Sequence, residues 1–172
     1  MGLLPERKSH KLERSILRFK EDLNKLRTYH QSISEEILDL TSKLLESNEE
    51  KKIEAMENLE DLNYEMNNDI LLNIEMAFES IGGLEIKLAE VESYLLYIKD
   101  EQNLLMNLEI SAKNLVKTIS MSDTTLNSQE SENLKYLHDS YKKIALQTQK
   151  NLNTICKDLE KLFQKVKKMD QI

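Results

Sequence analysis

The stretch Leu84-Glu85-Ile86-Lys87-Leu88-Ala89-Glu90-Val91-Glu92-Ser93-Tyr94-Leu95-Leu96-Tyr97-Ile98 decides how the rest of the chain is read. Together with the residues before it, it places apolar side chains at Ile74, Ala77, Ile81, Leu84, Leu88, Val91, Leu95 and Ile98. The steps alternate between three and four residues, which is the heptad seam of a coiled coil rather than the wider stripe of a helix packed on a globule. Such a seam does not stay in water, so a second helix has to cover it. The expected fold class is therefore all-α, with three long helices carrying heptad seams in an extended coiled coil or helical bundle.

Towards the N-terminus, Pro5 suits a first helical turn, and a helix is expected over residues 6–46. Its seam is Leu12, Ile16, Phe19, Leu23, Leu26, His30, Ile33, Ile37, Leu40 and Leu44, in unbroken steps of four and three. At ~1.5 Å per residue such a helix is about 60 Å long. His30 is the one polar member. A single polar residue in a seam fixes register, and an imidazole there is also the side chain whose charge changes nearest neutral pH. Around Ser47-Asn48-Glu49-Glu50-Lys51-Lys52 the seam loses phase, and Ser47 with Glu50 has the form of a capping box. A tight turn is expected there, with an unbroken helix carrying a stutter as its rival.

A second helix is expected over residues 48–120. Its early seam, Leu59, Leu62, Met66, Ile70 and Ile74, contains successive steps of four, which mark a local change of supercoil. Gly82-Gly83 falls inside it and costs roughly 2 kcal/mol relative to alanine. Because the seam keeps phase through Ile81, Leu84 and Leu88, the pair is expected to bend the helix, or to let a neighbour approach, rather than to end it. Beyond Ile98 the expected core positions are mixed: Gln102, Leu105, Glu109, Ala112, Val116 and Ile119. Residues 121–129 are polar, hydroxyl-rich and non-periodic, and are expected to form a linker. Asn127 and Glu130 then cap a third helix over residues 130–170, whose seam includes Tyr141, Thr148, Leu152, Ile155, Leu159, Leu162 and Val166.

Composition supports long helices. Charged residues make up 32% of the 172, with three glycines, one proline and no tryptophan, so turns have to be few. The net charge of −7 resolves into a basic block over residues 1–30, an acidic block over 31–110 and a basic block over 111–172. That order lets the ends lie against the middle or against an acidic partner, and an acidic middle repels nucleic-acid phosphates. No apolar run approaches the roughly 18–20 residues that cross a bilayer. The N-terminal residues have no signal-peptide core, and Glu6 stands where a myristoylated Gly2 wants Ser or Thr. A single cysteine, Cys156, and the lack of an Asn-x-Ser/Thr acceptor fit a reducing cytosol or nucleus, and a cytoplasmic location is expected. Cys156 itself reads as a small residue flanking the core.

Catalytic patterns are missing. His10, His30 and His138 are scattered without metal spacing, no Gly-rich phosphate loop occurs, and no Glu-x-x-His pair suits a di-metal bundle. Helical acidic pairs such as Glu90 with Glu101 read as solvated surface. No catalytic residue, metal ligand or cofactor site is assigned.

At the organising stretch, Ile74-Glu75, Leu84-Glu85, Glu90-Val91-Glu92, Leu95-Leu96, Ile98 and Asp100 resemble the coiled-coil region of the dysbindin family. Tyr141-Lys142-Lys143 and Leu152 to Val166 continue the likeness. Cys156-Lys157-Asp158-Leu159, followed by Leu162-Phe163, is similar to the KxDL family, with Cys156 at that motif's first lysine. Both families are small helical subunits of assemblies on endosomes and lysosomes. The resemblance implies a non-catalytic scaffold subunit in a hetero-oligomer for endosome- and lysosome-related membrane trafficking.

On this reading the seams are interfaces to other helical subunits: Leu12, Ile16, Phe19, Leu23, Leu26, Ile33, Ile37, Leu40 and Leu44 in the first helix, then Ile74, Ile81, Leu84, Leu88, Val91, Leu95 and Ile98, then Leu152, Ile155, Leu159, Leu162 and Val166. Any contact with membranes would go through those partners. A different class competes: a self-contained four-helix bundle, an adaptor or effector, with turns at 47–52, 82–83 and 120–129 and residues near 60 beside residues near 105. A kinetochore or cytoskeletal coiled-coil subunit has the same sequence physics.

Overall fold

The computed structural model describes residues 8–82 and 91–169, and among these there are helices and turns but no strand. The helices are α1 (Lys8–Glu46), α2 (Glu49–Glu65), a π-helical turn (Met66–Leu71), α3 (Leu72–Gly82), α4 (Val91–Ser120) and α5 (Thr124–Met169). Because α2, the π turn and α3 follow without a break, they form one rod, and the described chain makes four rods.

Cross-helix bonds fix their directions. His30 meets Gln149 and Ser42 meets His138, so α1 and α5 are antiparallel. Asn127 with Thr118, Asn133 with Ser111, and Tyr141 with Glu101 make α5 antiparallel to α4. Asn63 bonds to the Leu105 carbonyl and Glu60 pairs with Lys113, so the second rod is antiparallel to α4. The packed neighbours run in a ring, α1 to the second rod to α4 to α5 and back to α1. This is an up-down-up-down four-helix bundle with α1 and α4 on one diagonal.

The all-α class stands, and the arrangement corrects the expected helix over 48–120. In one straight helix Asn63 and Leu105 would lie about 60 Å apart at ~1.5 Å per residue, yet the Asn63 amide donates to the Leu105 carbonyl at 2.9 Å. Burial outweighs continuation. Stacking the two halves removes Leu59, Met66, Ile70 and Leu71 from water on one side and Ile98, Leu105 and Leu108 on the other, at about 1.5–3 kcal/mol per side chain. The described second rod ends at Gly82; Gly83, Leu84 and Leu88 lie outside the described residues. Among the described residues a Cβ on Gly82 meets nothing within 4 Å, so none of them requires glycine there by close approach. The seam phase that suggested continuity is equally served by two helices feeding one core.

The turn between α1 and α2 is tight, as expected, but its cap is one residue later. Only Ser47 and Asn48 are non-helical, and Asn48 Oδ1 accepts from the Lys51 amide at 3.0 Å. Glu49 and Glu50 follow in the positive first turn of α2. The successive steps of four in the early second seam take the form of the π turn. Its wider winding keeps Met66, Ile70 and Ile74 all at 2% exposure or less.

The expected linker over 121–129 shrinks to Met121–Asp123. Asp123 donates its amide to Thr118 and Ser122 donates to Ile119, the paired bonds that close a helix end around a left-handed residue, here Ser122 at φ 53°. The Asp123 carboxylate then accepts from the Leu126 amide and starts α5 at once. Local capping overrides a polar, non-periodic sequence that pointed to a loop.

Candidate functional site

Twelve of the proposed interface residues are buried inside the bundle: Ile16, Leu23, Ile37, Leu40, Leu44, Ile74, Ile81, Ile98, Leu152, Ile155, Leu159 and Val166. Seven more, Leu12, Phe19, Leu26, Ile33, Val91, Leu95 and Leu162, are half-buried against that core. Leu84 and Leu88 lie outside the described residues. The seams are thus covered by one another within the chain.

The chemically distinctive feature is a polar layer in the middle of this core. His30, from α1, and Glu101, from α4, are both fully buried and face each other along the bundle diagonal. His30 Nε2 lies 2.9 Å from each carboxylate oxygen of Glu101, and Nδ1 lies 2.9 Å from Gln149 Oε1 of α5. The Gln149 amide is oriented by its own nitrogen, which donates to the Arg27 carbonyl at 3.2 Å. Its oxygen therefore points to His30 and can only accept. With an acceptor at each ring nitrogen, both carry protons, and the ring is an imidazolium paired with a carboxylate.

The electrostatics agree with that assignment. Burial pushes the His30 pKa down, but the Glu101 charge and the hydrogen bonds from Glu101 and Gln149 outweigh it, so the net shift is upward from 6.5. Tyr141 of α5 donates its hydroxyl to Glu101 at 3.3 Å. Its own pKa stands well above 10 because of burial first and the Glu101 charge second, so it remains a donor at any ordinary pH. Flanking this layer, Arg27 reaches Asn153 across the α1–α5 contact at 3.4 Å. Thr148, next to Gln149 in sequence, is buried with its hydroxyl unpartnered within the protein.

The sequence pointed to His30 but placed Glu101 on the surface. The signal was present. Tyr94, Ile98, Glu101, Leu105, Leu108, Ala112 and Leu115 keep perfect steps of four and three, and all are buried. Carrying the alternation on from Val91, Leu95 and Ile98 with a step of four placed the expected seam on Gln102, Glu109, Val116 and Ile119, which are only half-buried. A step of three rather than four after Ile98 separates the two phases.

Other candidates are quiet. Cys156 is buried, and burial pushes its thiol up, with Arg27 opposing, so it stays protonated. The His, Cys, Asp and Glu residues gather into no metal-holding group among the described residues. No described helix is long and apolar enough to cross a membrane. The two basic blocks are brought together, with α1 along α5 and Lys20 of one paired to Glu160 of the other. Lys20 also lies 5.2 Å from the Phe163 ring centre. On the outside, an open groove of about 670 Å³ between α1 and the second rod has Phe19, Leu26, Ile70 and Ala77 along it and carries both signs of charge, Arg18 and Lys25 beside Asp22, Glu65 and Asp69.

Comparison of the chain with protein families, with curated proteins and with solved structures returned no match.

Proposed function

We propose that this chain is a non-catalytic adaptor: a four-helix bundle that closes its own core and engages other helical proteins through its outer faces. The observation that carries the reading is the Asn63–Leu105 bond, which folds the second rod back on α4. Seams covered from within do not need a partner for stability, so association falls to what remains outside. Several large apolar side chains do remain there, including Tyr64, Met76, Leu96, Met106 and Tyr136, each more than half exposed. The buried ionisable groups of the His30 layer are directed at one another, which suits fixing register better than turning over a substrate.

The resemblance at Ile74–Asp100 supports placing such an adaptor in an endosomal or lysosomal assembly, as one subunit among other helical subunits. Zero-length carbodiimide coupling tests the fold-back that this reading needs. Glu60 and Lys113, 3.5 Å apart, are expected to couple within a monomeric band. Coupling found only between chains, with sedimentation showing obligate oligomers, would return the seams to the role of partner interfaces. Identifying helical proteins that co-purify with the tagged chain from its native cell tests the trafficking context.

A further inference from the structure

The groove between the second rod and α4 differs from the one beside α1. It measures about 700 Å³ and follows the second rod from Glu60 past the π turn to Leu72. Twelve residues of helix amount to about 18 Å, or some three turns of a docked helix. Its apolar elements, Tyr64, Leu72 and Met106, are 69%, 44% and 54% exposed. Its charged lining residues are all acidic: Glu60, Asp61 and Glu109. Lys113 of α4 reaches Glu60 and Glu109 at 3.5 and 3.8 Å, which leaves Asp61, exposed and with no ion pair among the described residues, as the uncompensated charge.

A second, independent observation concerns the amides lining the groove. Asn63 is 4% exposed, and its nitrogen donates to the Leu105 carbonyl. That bond fixes the flip of the amide, because its oxygen cannot face a carbonyl. Asn63 Oδ1 is left as an acceptor with no protein donor, and Asn67 Oδ1, one turn on in the π segment, is in the same state. Two buried acceptors without donors are costly. Both oxygens are closed to solvent in the free chain, so a ligand that supplies N–H groups and positive charge relieves them only as the amides turn towards the groove.

We propose that this groove is a docking site for a basic amphipathic helix of a partner protein, with its apolar side on Tyr64, Leu72 and Met106 and its lysine or arginine heads on Asp61, the half-buried Asn67 amide turning outward to meet them. The proposal deepens the adaptor reading and rests on it; it gives the partner its chemistry. The probe is a fluorescein-labelled leucine–lysine amphipathic peptide of about 18 residues, or five turns, with a leucine–glutamate peptide of the same pattern as control. Fluorescence anisotropy with the full chain at physiological salt is expected to show saturable one-to-one binding of the lysine peptide alone. D61K and N67L are each expected to weaken it about tenfold or more, which is ~1.4 kcal/mol. E132K, an exposed α5 substitution with the same change of net charge, is expected to leave it unaltered. Circular dichroism confirms that each variant is folded. The proposal is overturned if E132K weakens binding as much as D61K, since attraction would then follow net charge alone. It is equally overturned if the glutamate peptide binds as well, or if no saturable binding occurs. A wild-type dimer that D61K abolishes would make the occupant a second copy and remove the partner helix. None of these outcomes alters the carbodiimide test of the adaptor fold.

Discussion

Two polar interruptions of the same apolar core have opposite fates. In the His30 layer the charged and hydrogen-bonding groups come from three rods and satisfy one another: an imidazolium between a carboxylate and an oriented amide, with a tyrosine hydroxyl on the carboxylate. In the Asn63 and Asn67 layer the groups come from one rod, reach α4 through a single bond, and leave two oxygens without protein donors beside an open groove. Both interrupt a seam. The difference is whether the donors and acceptors balance inside the bundle. A balanced layer can specify how α1, α4 and α5 line up, since sliding one of them parts the ion pair or strips it of a hydrogen bond in a medium of low dielectric. An unbalanced layer specifies nothing by itself and is a place where something else completes the pairing.

The comparison is tested hardest by removing one side of the balanced layer. Glu101→Ala strips the imidazolium of its counter-charge in a fully buried site. A loss of about 3–5 kcal/mol in stability is expected, the range for breaking a buried pair from one side. Replacing both partners, His30→Leu with Glu101→Met, is expected to recover most of that loss, because the cost lies in the unpaired charge. Urea unfolding at neutral pH measures both. If the double variant is as unstable as the single one, the layer contributes through something other than pairing.

The same layer gives stability a pH dependence of known sign. The His30 pKa in the folded chain is raised above its unfolded value near 6.5, so the folded state binds the proton more tightly. Its contribution is complete below about pH 6.5 and is lost as pH rises through the folded value. The groups facing His30 are Glu101 from α4, and Tyr141 and Gln149 from α5 at or next to the pair. The second rod buries only apolar and amide side chains among its described residues: Ala55, Leu59, Asn63, Met66, Ile70, Leu71, Ile74, Phe78 and Ile81. His30 therefore dominates the interior titration up to about pH 8; above that the buried Cys156 thiol, also raised, adds a fall of the same sign. Urea midpoints taken from about pH 6 to 8 are expected to fall for the wild type and to stay nearly level in the His30→Leu, Glu101→Met background. A wild-type midpoint that rises over this range would contradict the imidazolium.

These contrasts also show what could be read from the letters. The helical class, the turn around residues 47–52 and the special position of His30 followed from spacing alone, because steps of three and four and a loss of phase act locally; the cap was read at Ser47, one residue before Asn48. The steps of four from Leu62 to Ile74 marked a change of winding, although not that it would be a π turn. The fold-back between the second rod and α4 was not decided by spacing: a seam in phase is what one long helix needs and also what two helices facing a common core need. Glu101 and Asn63 show the deeper limit. Each is polar at a core position, and whether it is satisfied depends on residues tens of positions away, Glu101 on His30 and Tyr141, Asn63 on Leu105. The groove adds a further step, since Tyr64, Leu72 and Met106 meet only once the antiparallel pairing is known.

The smallest effect tests the unbalanced layer. Asn67 holds a buried oxygen with no protein donor on a half-buried side chain in the π turn. Asn67→Leu removes that acceptor and adds apolar surface where Leu72 and Met106 already lie. A polar group that is only half satisfied is worse for folding than an apolar one of similar size. The variant is therefore expected to be slightly more stable than the wild type, by about 0.5–1 kcal/mol, read as a small rise in urea midpoint with an unchanged slope. The sign matters more than the size. A gain would mean that Asn67 is retained at a cost to the fold, and the same substitution should then be the one that weakens binding of a basic helix. A loss of stability would instead show the amide already satisfied in the free protein, and the two polar layers would differ less than their geometry indicates.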